Sequence, residues 1–172
     1  LSRSSASLLS SSAIPVPPLI AGTGVSGYSG DGGLAIKALL GERLPALAVD
    51  RVGNLYVADG SNGVVRKVSQ SGVITTVAGN GPSWYNNGVG DGGPATSAPL
   101  FYPHQLAVDT LGNLYFGEWE TPPVRKVSSH GIITTVVGNG KVGYSGDGGP
   151  ATDATMGSTY GLAFDGEGNL YI

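Results

Sequence analysis

The sequence predicts an all-β fold built from a repeated unit of four short antiparallel strands. The block Asp-x-x-Gly-Asn-Leu-Tyr occurs three times without gaps, at 50–56, 109–115 and 165–171. Each unit contains β-rich runs separated by turn residues, and no useful length of it has the 3.6-residue apolar spacing of a helix. The 30 glycines recur at fixed places in the unit and therefore mark turns.

The second unit shows the four predicted strands in order, at 106–109, 113–116, 124–127 and 132–137. Between the first two, the Asp-x-x-Gly-Asn link places Gly112 where a tight hairpin requires a positive φ, and Asp109 and Asn113 can bond the turn backbone. Four antiparallel strands repeated about an axis form a β-propeller, which normally has 4 to 8 blades.

These motifs resemble the NHL-repeat family of β-propellers. The resemblance covers about residues 20–172 and includes Gly-Asn-Leu-Tyr-Val-Ala-Asp at 53–59 and the Arg-Lys pair that follows it. The longer unit with Gly-Asp-Gly-Gly-Pro-Ala is similar to the form in bacterial NHL proteins and teneurin-type surface proteins. The second unit departs most from the pattern, at 103–106 and 117–123. The resemblance implies about 2.5 to 3 blades of a probable six, an incomplete ring that depends on the remaining blades of a parent protein.

Composition divides the chain into two parts. Residues 1–19 are rich in Ser and then in Pro, which is typical of a linker. An alternative is that 11–13 end a signal peptide, so we expect a location outside the cytoplasm: secreted, periplasmic or at the cell surface. Residues 20–172 form the repeats, and the chain begins and stops as a piece of something longer would.

Composition also excludes several classes of function. The chain has no cysteine, so disulfides, zinc-thiolate sites and thiol nucleophiles are absent. Charged residues are 12% of the chain and the formal net charge is −3, which argues against nucleic acid as a partner. No apolar stretch approaches the roughly 18 residues that span a bilayer, so no membrane insertion is expected in this segment.

The family resemblance implies where a ligand would bind. In such propellers the first strand of each blade lines the central channel, and the loops after strands two and four open on the same face. Loops on a rigid frame are the usual place for recognition. This predicts a binding rim that comprises His104, Gln105, Glu118, Trp119, Glu120, Asp31, Asp91 and Asp147.

Alternatives remain open for several of these residues. The three Gly-Asp-Gly-Gly aspartates can cap glycine turns or bind calcium, but each loop supplies one carboxylate to an ion that takes 6 to 8 oxygens. Glu118 and Asp59 each precede an arginine by seven residues, which favours pairing with Arg125 and Arg66 across adjacent strands. Trp119 suits either an exposed interface or the core.

We expect a non-catalytic binding scaffold for a protein or glycan, with no catalytic, cofactor-binding or metal-binding residue assigned. Calcium or zinc is a minor alternative. The glycine patterns at 22–27 and 138–143 spell a dinucleotide fingerprint, but no helix follows them to receive a pyrophosphate. The alternative function is a metal-dependent propeller lyase or lactonase-like hydrolase, with its site in the central channel around His104, Gln105 and Glu118.

Overall fold

The computed structural model describes residues 18–81, 90–119 and 121–172, without the side chains of residues 121 and 122. Most of the predicted linker, residues 1–17, and the predicted rim residue Glu120 lie outside the described residues.

In the described part of the chain, ten strands form two four-stranded sheets and one strand pair, and neighbouring strands are antiparallel in chain order. This confirms the all-β fold and the propeller blades. The first blade contains β1 Leu47–Val49, β2 Leu55–Asp59, β3 Val64–Val68 and β4 Ile74–Ala78. The second contains β5 Pro103–Val108, β6 Leu114–Glu118, β7 Thr121–Val127 and β8 Ile133–Val137, and the third begins with β9 Ala163–Phe164 and β10 Leu170–Tyr171.

The turn between the first two strands of each blade is built by its own side chains. In the second blade Gly112 has φ +80°, and Asp109 Oδ1 accepts hydrogen bonds from the backbone N–H groups of Leu111 and Asn113, at 2.9 and 2.8 Å. Its Oδ2 accepts from Asn113 Nδ2 at 2.7 Å and from the Tyr115 hydroxyl at 3.2 Å. The same four bonds hold the turns around Asp50 and Asp165, so the recurring block is a structural motif.

The main core lies between the two complete blades. Ala58 and Val65 of the first blade pack with Phe116 and Ile133 of the second, and all four are fully buried. Leu100 in the loop that joins the blades is also fully buried there. The loop between blades is therefore part of the core.

A neighbouring blade decides how much of each sheet is covered. Leu106 in β5 is 8% exposed because the first blade packs on that face, whereas its repeat equivalent Leu47 in β1 is 61% exposed. Val49, two residues further along β1, is 63% exposed. The outer face of β1 is thus an apolar surface of the kind that a preceding blade covers.

Two of the three Gly-Asp-Gly-Gly loops, at 30–33 and 90–93, are fixed to the blade that follows them. Asp91 Oδ1 lies 2.6 Å from Arg125 Nη2 of β7, and its Oδ2 accepts from the Thr135 backbone N–H of β8 at 2.7 Å. Asp31 makes the same contacts in the first blade, with Arg66 at 2.6 Å and the Thr76 N–H at 3.0 Å. These aspartates therefore join a long loop to strands three and four of a blade, a role beyond the predicted capping of the loop's own turn.

Two details differ from the predicted elements. The loops contain three-residue 3-10 turns that the sequence pattern did not indicate, at Ala35–Lys37, Gly60–Asn62, Ala95–Ser97 and Ala151–Asp153. The first strand of the second blade begins at Pro103, three residues before the predicted start, because Pro103 and Gln105 pair with Glu118 and Gly117 of β6 across a β-bulge. Within the described ranges no helix has the length and apolar character needed to cross a membrane.

Candidate functional site

The start of β5 is irregular, and the irregularity centres on His104. Pro103 pairs with Glu118 and Gln105 pairs with Gly117, so His104 is the extra residue of a β-bulge. The sequence placed His104 just before the first strand, whereas it lies inside that strand. Bulges are common beside functional sites because they redirect one side chain out of the regular alternation.

The residue before this strand, Tyr102, has a strained backbone. Its φ of +47° makes it the one non-glycine residue with positive φ in the part of the chain that the structure describes. A bulky side chain in this region costs about 1 to 3 kcal/mol and persists only where surrounding contacts enforce it. Here the Trp119 backbone N–H donates to the carbonyls of Phe101 and Tyr102, both at 3.2 Å, and so holds the segment in place.

Four rings meet at this point, and we call them the aromatic row: Tyr102, Trp119, His104 and Tyr160. The centroid distances between successive rings are 6.0, 5.5 and 6.4 Å, and all three contacts are edge-to-face. Trp119 is 43% exposed and Tyr160 is 80% exposed, whereas His104 between them is 8% exposed. The row therefore offers aromatic surface around one buried polar ring.

Gln105 links the row to the third blade. Its side-chain Nε2 donates to the Thr159 carbonyl, and its Oε1 accepts from the Thr159 hydroxyl at 3.1 Å. The same Nε2 lies 2.6 Å from Nε2 of His104. Gln105 and Thr159 are 7% and 3% exposed, so this network is shielded from water.

The His104 ring is neutral near physiological pH. Burial lowers its pKa below the usual 6.5, against the opposing influence of the Gly117 and Thr159 carbonyls. Among the described residues, Nδ1 of this ring has no hydrogen-bond partner although it is buried. An unsatisfied buried polar atom is uncommon in a folded protein.

Glu118 lies beneath the row as part of a buried ion group. Its side chain has no exposed area, its Oε1 is 3.3 Å from Arg125 Nη1, and its Oε2 accepts from the Phe101 backbone N–H at 2.6 Å. Burial raises the pKa of Glu118 to about 7, while the Phe101 N–H and Arg125 oppose the rise and Asp91 adds to it. The equivalent Asp59 lies 4.0 Å from Arg66, so both pairings predicted from the seven-residue spacing are present.

Replacing Glu118 with glutamine is expected to remove a pH dependence of stability between about pH 4.5 and 7. The folded pKa of about 7 exceeds the ordinary 4.5, so in this range the folded state binds more protons than the unfolded state. The contribution of Glu118 is therefore complete below pH 4.5 and is lost as the pH rises through 7. At about 1.4 kcal/mol per pKa unit, the loss is at most about 3.5 kcal/mol.

The measurement is urea unfolding at pH 4.5, 6 and 8 for the parent protein, Glu118→Gln and the exposed control Glu42→Gln. We expect the free energy of unfolding of Glu118→Gln to change less with pH than that of the other two. Parallel pH profiles for all three proteins would contradict the assignment.

The structure divides the predicted rim residues into separate groups. His104, Gln105 and Trp119 lie together, and Glu118 and Asp91 are joined beneath them through Arg125. Asp31 belongs to the ion pair of the first blade, and Asp147 accepts from the exposed Tyr144 hydroxyl at 3.0 Å. No hydrogen bond or ion pair of the described residues connects Asp31 or Asp147 to the His104 group.

Three members of the site were not predicted as site residues: Tyr102, Thr159 and Tyr160. Tyr160 occupies the position of His104 in the next repeat, so the alignment of the two blades contained a signal for it. Tyr102 and Thr159 carry no such signal, because their roles depend on the bulge and on a contact 54 residues away in the chain.

Two further features bear on other kinds of site. Within residues 18–81, 90–119 and 121–172, no group of three or more His, Cys, Asp or Glu side chains could hold a metal ion. A cleft of about 460 Å³ opens between the first two blades, at the strand ends opposite the aromatic row. Two charged residues line this cleft. Asp50 accepts the hydrogen bonds of its own turn, and Nζ of Lys67 lies 5.5 Å from the Tyr56 ring centroid, so both already have partners.

Comparison with known sequences points to one family. Residues 81–144, which contain the second blade, match the family model of the teneurin NHL domain. Teneurin-3 of Mus musculus is 36% identical over 104 residues, which cover 54% of this chain and 4% of that protein. Teneurin-4 of Homo sapiens is 31% identical over 104 residues, with the same coverage. The chain therefore spans about 4% of the length of these relatives.

Solved structures show the same architecture. A protein of unknown function from Bacteroides thetaiotaomicron is 28% identical with a TM-score of 0.62, over 80% of this chain and 34% of that chain. An auxiliary nutrient binding protein from Bacteroides ovatus is 22% identical with a TM-score of 0.51, over 66% of this chain and 30% of that chain; this likeness concerns the fold alone.

The curated relatives are animal proteins and these structural relatives are bacterial, so a bacterial source stays a prediction. The repeated blade motif, the two four-stranded sheets and the teneurin match agree with one another. The chain is built from β-propeller blades, and its residues 81–144, which contain the second blade, are similar to the teneurin NHL domain.

Proposed function

We propose that this propeller is a non-catalytic binding module and that its ligand, a protein or a glycan, docks on the aromatic row. The observation that carries the proposal is the exposed aromatic surface of Trp119 and Tyr160, which a β-bulge groups around the buried His104 ring. Aromatic side chains at such positions supply much of the binding energy in known interfaces.

The cost of building this site supports a functional role. Tyr102 keeps a strained backbone, and the extra residue of the bulge interrupts the regular pairing of β5 with β6. Neither feature has an equivalent in the first blade, where β1 begins only at Leu47 and Arg43, the counterpart of Tyr102, has no positive φ. Local strain that a closely related blade avoids is typical of a site that recognises something.

The other expectations about function stay predictions. The metal-dependent lyase or hydrolase alternative has no observation that favours it over binding. A location outside the cytoplasm is compatible with a binding module, and the remaining blades of the parent protein would complete the channel beside the row.

Removing two rings of the row is expected to abolish ligand capture. Trp119→Ala combined with Tyr160→Ala should weaken binding at least about 30-fold, since interface aromatics of this kind contribute about 2 kcal/mol or more each. The matched control is Tyr144→Ala, because Tyr144 is 88% exposed and lies outside the row.

The full-length protein, the double variant and the control are each immobilised, then probed with a protein extract analysed by quantitative mass spectrometry and with a glycan array. Ligands that the double variant loses and the control keeps support the proposal. Equal capture by all three proteins would remove the row from consideration as a binding surface.

A further inference from the structure

We propose that the loop at 138–159 carries an arginine-binding site, formed by Tyr144 and Asp147, and that an arginine of the third blade fills it. The described part of this blade consists of β9 and β10, so the arginine belongs to a third strand that follows β10 in the full-length protein. The inference goes beyond the proposed function, because it does not depend on any ligand of the aromatic row. It follows from an occupied copy of the same site in the first blade.

The first blade shows what the occupied site holds. Asp31 Oδ1 lies 2.6 Å from Nη2 of Arg66, and the same nitrogen donates to the Ser29 carbonyl at 3.1 Å. The guanidinium carbon lies over the Tyr28 ring, 4.9 Å from its centroid, and the Arg66 side chain has no exposed area. A carboxylate, a carbonyl and an aromatic face are together the partners that a planar guanidinium prefers.

The third loop repeats both the sequence and the backbone of this site. Residues 144–149 read Tyr-Ser-Gly-Asp-Gly-Gly, as do residues 28–33. The first glycines of the two motifs, Gly30 and Gly146, have φ +93° and +105°. In both loops the last glycine N–H donates to the carbonyl of the first glycine at 3.0 Å. The third loop therefore has the conformation of the first without an arginine in place.

The side chains of the third loop have no such ligand among the described residues. The Tyr144 hydroxyl donates to Asp147 Oδ2 at 3.0 Å, and no described cation lies within ion-pair distance of Asp147. Tyr144 is 88% exposed, whereas Tyr28, whose face Arg66 covers, is 52% exposed. A carboxylate and an aromatic ring are thus held together at the surface, in the positions that bind arginine in the first loop.

The backbone of the third loop indicates that the arginine arrives on a β-hairpin. In the first blade the Gly32 N–H donates to the Ile74 carbonyl at 2.8 Å, and Asp31 Oδ2 accepts from the Thr76 N–H at 3.0 Å. Both partners belong to β4, so an occupied loop holds strand four as well as the arginine of strand three. The N–H of Gly148, the counterpart of Gly32, has no hydrogen-bond partner among the described residues. A hairpin of strands three and four satisfies all of these groups, whereas a free arginine does not.

The repeat spacing identifies which arginine fills the site. Arg66 lies ten residues after Tyr56, and Arg125 lies ten residues after Tyr115. Tyr171 is the counterpart of these tyrosines in the third blade. The arginine is therefore expected ten residues after Tyr171 in the full-length protein.

The first test is the residue at that position in the full-length sequence, where we expect arginine. The second test is hydrogen–deuterium exchange of the full-length protein, followed by mass spectrometry of the segment 144–151. Its variants are Asp147→Asn, a glutamine in place of the arginine, and the two changes combined. Each single change should speed exchange about tenfold, and the combination should be no faster than either, because one interaction is lost in all three.

Two further variants are matched controls. Asp153→Asn removes the same charge from an exposed position in the same loop, and it should leave the exchange of 144–151 unchanged. Asp31→Asn removes the carboxylate of the occupied site, and it should speed exchange of 28–35 about tenfold. Circular dichroism checks that each variant is folded.

A residue other than arginine at the expected position would overturn the inference. Unaltered exchange in Asp147→Asn would do the same, and so would effects of the two single changes that multiply in the combined variant. Asp147 lies at the surface, so Asp147→Asn decides the matter even if the variant without the arginine does not fold. None of these results bears on the aromatic row, whose binding role the capture experiment tests separately.

Discussion

Replacing Arg125 with methionine is expected to lower the free energy of unfolding by about 3 to 5 kcal/mol. The guanidinium is fully buried and lies between two carboxylates, with Nη2 2.6 Å from Asp91 and Nη1 3.3 Å from Glu118. Methionine fills part of the volume but leaves both carboxylates without their cation. Glu118 has no access to water, so the cost of its uncompensated charge falls on the folded state.

Urea unfolding followed by circular dichroism at pH 8 measures this loss. The control is Lys126→Met, because Lys126 is the next residue of β7 and lies 5.6 Å from the Tyr115 ring centroid near the surface. We expect the control to lose less than about 1 kcal/mol. If Arg125→Met also lowered the free energy of unfolding by less than about 1 kcal/mol, the buried ion group would contribute little to stability.

The pH dependence of the same variant adds a second check. Burial already raises the pKa of Glu118 to about 7 with Arg125 present, and removal of the cation raises it further. Below pH 6 the carboxyl is then neutral in the variant. The destabilisation at pH 5 should therefore be smaller than at pH 8.

The buried ion group of Asp91, Glu118 and Arg125 was predictable from the sequence only in part. The seven-residue spacing predicted the pairs Asp59–Arg66 and Glu118–Arg125, because antiparallel neighbours joined by a short loop place such residues opposite each other. The third member, Asp91, precedes Arg125 by 34 residues. Its position depends on how a long loop lies over strands three and four, which no local pattern encodes.

Most of the fold was predictable because the turns are encoded locally. One aspartate, one glycine and one asparagine specify the hairpin between the first two strands of each blade, and the repeat then sets the order of the strands. The early start of β5 was not predictable. It depends on the bulge at His104 between β5 and β6, which no local pattern encodes, and Gln105 in this segment also contacts Thr159, 54 residues away.

The candidate site lies where the second blade departs from its own repeat. His104 and Gln105 replace Pro45 and Ala46 of the first blade, and the segment 117–123 replaces 58–64. Residues that recur in every unit build turns and core, since each blade needs the same frame. Residues that differ between the repeats are not required by the shared blade structure. In a repeat protein they are therefore the better guide to function.

Replacing Gly79 with alanine is expected to destabilise the protein by about 3 to 5 kcal/mol. Gly79 follows β4, has φ +92°, and lies so close to the loop between β2 and β3 that a Cβ would overlap the Gly63 carbonyl oxygen. Backbone cannot move aside as a flexible side chain can. The alanine therefore forces the loop between blades away from the first blade, and with it the core residue Leu100.

The control is Gly72→Ala, which separates backbone strain from collision. Gly72 has φ +78°, but a Cβ there would meet no atom within 4 Å. It should therefore cost only about 1 to 2 kcal/mol, the penalty of an L-residue in the left-handed region. Urea unfolding of both variants gives the comparison. If both variants lost the same free energy of unfolding, the backbone conformation alone would explain the need for glycine at position 79. We expect Gly79→Ala to lose about 2 kcal/mol or more beyond Gly72→Ala, and this difference measures the close packing of the interblade loop against the blade.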